Sequence, residues 1–128
     1  MSVLKYVPAM EIPELADLIW LFEDEPQGED EDVPWPLGLQ SFKLTRGAIS
    51  VLFSIHPTAG DASISIYADG EEVAYLKLRH LGRLSVERER SGYEGLKLWF
   101  REDCKESVVL QTKPAIRFSW DAKPLGEW

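Results

Sequence analysis

The sequence predicts a mainly β fold, at the margin of α+β: an antiparallel sandwich or barrel of seven or eight strands, with one N-terminal α-helix packed on it. Three observations carry this reading. From about residue 38 onward, apolar residues alternate with polar ones at period two, the mark of half-buried strands. Asp69-Gly70 sits between two such runs, a strong signal for a two-residue hairpin turn. Apolar spacing at three and four residues occurs in one stretch, residues 12–24.

The chain has 128 residues, the size of a single domain, and is predicted to form one over residues 1–128. "SVLKYV" at 2–7 reads as a short strand ended by Pro8. "IPELADLIWLFED" at 12–24 then reads as a helix, with Pro13 suited to a first helical position, where its missing N–H costs little. Ile12, Leu15, Ala16, Ile19 and Phe22 share one face, and Leu18, Trp20 and Leu21 widen it, so the helix needs a large surface to pack on. Glu11, Glu14 and Asp17 suit the positive end of its dipole, whereas Glu23, Asp24 and Glu25 fall at the unfavourable end. Residues 25–37 form an acidic, proline-containing connector.

The β region is expected over 38–121. "SFKLT" alternates and is followed by a turn at "RG". In "AISVLFSIH", Ile49, Val51, Phe53 and Ile55 line one face. "ASISIYA" and "EEVAYLKLRHL" flank the Asp69-Gly70 turn, and "RLSVERE" pairs with "GLKLWFRE" across "RSGYEG". In "SVVLQTKPAIRFSWD", Val108 to Trp120 keep one parity, so one bent strand or two collinear pieces are expected, bending at Pro114, which cannot donate to a ladder. Residues 122–128 read as a tail. Leu52, Val73, Tyr75, Trp99 and Val109 lie opposite the main apolar rows. The expectation is that part of this second face receives the helix; otherwise it is an exposed aromatic patch for a partner.

Composition removes several function classes. No run of 18 apolar residues is present, so no membrane span is expected, and the N-terminal stretch lacks the apolar core of a secretory signal. A single cysteine, Cys104, cannot form an internal disulfide, so a cytoplasmic setting is expected. Of the 22 acids, ten lie in residues 1–32 against one base, Lys5; the remaining twelve face thirteen bases in residues 33–128. Nucleic acid is not expected as a partner, because phosphate binding requires clustered Lys and Arg.

Catalytic and cofactor motifs are missing. There is no phosphate-binding glycine loop, nucleophile elbow or zinc-protease helix. An EF-hand placed with Gly28 at its sixth position lacks the closing glutamate, since Pro34 stands there. His56 and Asp61 flank a short loop, but two ligands make no metal site. Neither a cofactor nor a metal is therefore expected. A small enzyme would have to draw on His56, His80 or Cys104, and Cys104 between Asp103 and Lys105 lacks the electropositive setting that makes a thiolate.

What remains is "EDEPQGEDEDVPWPLG". Glu23, Asp24, Glu25, Glu29, Asp30, Glu31 and Asp32 crowd together beside Trp35, which two prolines hold stiffly. Such a run is commonly a solvated connector. It also has the parts of a recognition element: charge that steers a basic surface, and an aromatic that can be buried at the centre of a contact. The functional expectation is a non-enzymatic binding protein whose acidic segment recognises a basic protein surface, in the manner of an immunity protein or inhibitor. The alternative is a small-ligand binding domain with an apolar pocket lined by Phe53, Trp99, Phe118 and Trp120.

Overall fold

A computed structural model describes residues 10–28, 38–101 and 106–120. Helix α1 spans Leu15–Phe22, followed by the two-residue β1, Gln27–Gly28. Eight longer strands follow: β2 Gln40–Arg46, β3 Ile49–His56, β4 Asp61–Ala68, β5 Glu71–Leu78, β6 Leu81–Arg88, β7 Glu94–Phe100, β8 Val108–Lys113 and β9 Arg117–Trp120. They form two antiparallel meanders, one ordered β1-β2-β3-β4-β5 and the other β6-β7-β8-β9. The fold is therefore mainly β, with two sheets and one helix among the described residues.

Local chemistry sets several of the reversals. Asp69 and Gly70 both have positive φ, 53° and 81°, as the primed turn between β4 and β5 requires. Gly47, with φ 62°, opens the two-residue turn between β2 and β3. The chain changes sheets across Arg79-His80, where His80 adopts φ 60°. The stretch from 107 to 120 is not one bent strand: β8 and β9 are antiparallel neighbours, reversing at Pro114-Ala115. Gln111 Nε2 donates to the Ala115 carbonyl across that turn, at 2.8 Å. The shared parity survives because Leu110 pairs with Phe118 and Val108 with Trp120.

The period-two rows face each other between the sheets. Phe42, Leu44, Val51, Phe53, Ile55 and Ile64 come from the first sheet; Leu84, Leu96, Leu98, Val108 and Leu110 come from the second. Phe53, expected in a ligand pocket, is instead fully buried in this core.

Helix α1 begins later and ends earlier than expected. Glu14, extended at φ −69° and ψ 150°, is the N-cap, so Pro13 precedes the helix rather than opening it. Nor does the helix lie on an outer face. Leu18, Leu21 and Phe22 are buried, and the Phe22 ring stacks on Phe42 at 5.3 Å and on Phe53 at 5.6 Å between centroids. Those two rings belong to the inner row, so α1 plugs the seam between the sheets, where it touches β2 and β6. The wide apolar arc needs contact on more than one side, and only a seam supplies that. Preceding the helix, Glu11 forms a parallel bridge to Arg83: its N–H donates to the Gly82 carbonyl and its carbonyl accepts from Leu84 N–H.

Candidate partner-binding surface

The acidic tract starts where α1 stops. Glu23 takes a left-handed conformation, φ 61°, and its carboxylate turns back onto the sheets. Arg46 on β2 donates to both carboxylate oxygens, at 2.7 and 3.3 Å, while its Nε donates to the Thr112 carbonyl on β8 at 3.0 Å. Lys113 Nζ lies 3.8 Å from the same carboxylate and 3.4 Å from Glu94. One guanidinium thus ties the helix end to both sheets, which gives Glu23 a structural partner despite its unfavourable end of the dipole. The hydrogen bonds from Arg46 hold its carboxyl below the usual range, against a smaller opposing effect of burial; the positive charges of Arg46 and Lys113 add to the lowering. The ring of Trp20 is covered in turn, with the Arg88 guanidinium 3.7 Å and the Lys113 ammonium 5.4 Å from its centroid.

Asp24 and Glu25 are exposed. Asp24 Oδ1 accepts the Glu25 N–H at 2.8 Å. Beyond Pro26, Gln27 and Gly28 pair with Ser41 and Gln40, which fixes one end of the tract at the edge of the first sheet. Glu29, Asp30, Glu31, Asp32 and Trp35 lie outside the described residues. Of the tract's acids seen in the structure, one is used internally and two face solvent.

The four aromatics expected to share a pocket are dispersed. Phe53 is in the core. Trp99 lies on the outer face of the second sheet, between Arg83 and Lys97 at 4.4 and 4.2 Å, and its indole N–H donates to Ser85 Oγ at 3.1 Å. Phe118 lines a slot of about 40 Å³ with Ala74 and Leu76, and Trp120 a separate hollow of about 290 Å³ with Leu76 and Phe100. A larger hollow, about 420 Å³, lies elsewhere, on the outer face of the first sheet among Ser54, His56, Asp61, Ser63, Tyr75 and Lys77.

His56 and Asp61 face each other as cross-strand partners. The imidazole Nδ1 accepts the Ala59 N–H at 3.3 Å and lies 3.0 Å from the Thr58 hydroxyl. That places the proton of the neutral ring on Nε2 and gives the histidine a turn-stabilising role. His80 is exposed at the sheet crossing, where its carbonyl accepts the Arg101 N–H. Cys104 lies outside the described residues. Among the described residues no three His, Cys, Asp or Glu side chains converge as a metal site, and no helix is long and apolar enough to cross a membrane.

Sequence reasoning missed one feature. The Glu23–Arg46–Lys113 cluster joins three elements far apart in the chain, and no spacing announces it. Val73 and Tyr75, which the sequence places opposite the main apolar rows, stand 60% and 58% exposed on β5.

No protein-family model matches the chain, and no curated protein matches it. Among solved structures, a chain of the "Contact-dependent growth inhibition toxin - immunity protein complex from Klebsiella pneumoniae 342" is similar in three dimensions. The match covers 88% of this chain and 96% of that one, with a TM-score of 0.68 and 16% sequence identity. The likeness is one of fold.

Proposed function

We propose that this chain is an immunity-type protein, a non-enzymatic inhibitor that binds a basic partner protein through its acidic tract. The observation that carries the reading is a coincidence of two independent features. The fold resembles, almost end to end, a chain from a toxin–immunity complex, and nearly half of the protein's acids crowd into its first quarter. An inhibitor that must capture a toxin quickly gains from such concentration, since steering by opposite charge raises association rates about 10- to 1000-fold and is weakened by salt.

The test is a pull-down from native lysate at low and high salt, using wild type and a variant neutralised at the six acids Asp24, Glu25, Glu29, Asp30, Glu31 and Asp32. Glu23 stays intact because it anchors the helix. A basic protein held by wild type, released by salt and lost by the variant is the expected result, and the purified protein is then assayed for toxicity with and without this chain. Equal retention by both chains, or capture of nothing, would overturn the reading.

A further inference from the structure

We propose that the β5 edge of the first sheet is a self-association surface, where a second copy of this chain pairs antiparallel with β5 to form a two-fold dimer with a continuous sheet. The inference is independent of the acidic-tract reading.

Edge strands expose unpaired N–H and C=O groups, and folds usually shorten or cover them. Among the described residues the other edges are short or partly covered, and beyond the β1 pairing β2 is flanked by α1. β1 has two residues, β9 has four, and β6 is bridged by the Glu11 segment. β5 is the exception: eight residues, no proline, hydrogen-bonded only to β4 among the described residues. A bulge opposite Ile66/Tyr67 disturbs its first residues and leaves Ala74–Leu78 in regular register.

The exposed apolar surface gathers at the same place. Among the described residues four large apolar side chains are exposed: Trp20, Val73, Tyr75 and Trp120. Trp20 is roofed by Arg88 and Lys113. Val73 and Tyr75 are on β5 itself, and Trp120 shares a hollow with Leu76, Lys77 and Leu78. Large apolar groups collected beside an open strand edge mark an interaction site rather than scattered surface residues.

Charge selects a second copy as the occupant. β5 carries Glu71 and Glu72 at its start and Lys77 near its end, with Arg79 just beyond it. An antiparallel partner of identical sequence, related by an axis near Ala74 and Tyr75, brings the acids of each strand alongside the bases of the other, twice by symmetry. Val73 and Tyr75 of the two copies then lie close to the axis.

Sedimentation velocity from low-micromolar to sub-millimolar concentration tests it on the intact chain. Wild type is expected to shift from monomer to dimer. Val73→Lys places a charge on the edge at an exposed position and should weaken the dimer about tenfold or more. Glu72→Lys and Lys77→Glu should each weaken it about two- to thirty-fold, since each cross-strand pair counts twice, and the double reversal should recover most of the loss. Circular dichroism checks that each variant stays folded. A monomer over the whole range, or a dimer that none of the three single variants weakens, would overturn the proposal.

Discussion

Replacing Phe22 by alanine separates a helix that belongs to the core from one that merely decorates the sandwich. Phe22 is 1% exposed and stacks on two rings that are themselves buried, Phe42 and Phe53. Burial of such a side chain contributes about 1.5–3 kcal/mol. Each stacked ring pair adds about 0.5–1.5 kcal/mol. Together these give a loss of about 4 kcal/mol, within the usual ~3–5 kcal/mol for a buried Phe→Ala change that leaves a cavity. With an unfolding entropy of roughly 2.1 cal/mol/K per residue over 128 residues, that is a fall in Tm of about 15 °C. Urea unfolding followed by far-UV circular dichroism measures it, with a lower midpoint and an unchanged slope expected. Phe22→Leu retains most of the volume and should lose less than half as much. A loss below about 1.5 kcal/mol for the alanine variant would mean that α1 does not seal the seam, and the packing argument would fail.

Glu23→Gln tests the clasp at the helix end. Because the folded carboxyl is held below its ordinary value, its contribution is present at neutral pH and vanishes as pH falls through the lowered pKa. The variant should be less stable at pH 7 by about 0.5–1 kcal/mol, a modest figure because the pair is partly exposed, and equal to wild type in strong acid; a gap that persists in acid would refute the ionic account. Gly95→Ala should destabilise by about 1–3 kcal/mol, since the new Cβ would lie 2.9 Å from the Leu110 carbonyl oxygen; an unchanged urea midpoint would show that β7 and β8 yield there. For the acidic tract, a purified partner should bind wild type with a steep salt dependence carried mainly by the association rate, and the six-fold neutralised variant should lose most of that slope in stopped-flow measurements. A salt slope equal in the two chains would place recognition elsewhere.

The sequence by itself determined most of the long strands, because a period of two survives whatever the strands pack against. Val51, Phe53 and Ile55 are buried as their alternation required, and Asp69-Gly70 makes its turn because few other dipeptides accept two positive φ values. It also determined where the charge lies, since that is a count along the chain. Pro114 was legible as a break but not as a reversal: parity alone cannot tell a bend from a hairpin, because both keep Leu110 and Phe118 on one face.

The sequence could not decide which face the helix would meet, because two apolar faces of a sheet look alike until a second sheet claims one of them. That choice moved Phe53 from an expected pocket into the core and left Val73 and Tyr75 on an open edge. Nor could it say which acids are free. Glu23 and Asp24 are neighbours of the same kind, yet one is clasped by Arg46, 23 residues away, and the other faces water. Charge is local in sequence and its neutralisation is not. Ion pairs and exposed edges follow from which elements become neighbours, and only the tertiary structure sets that.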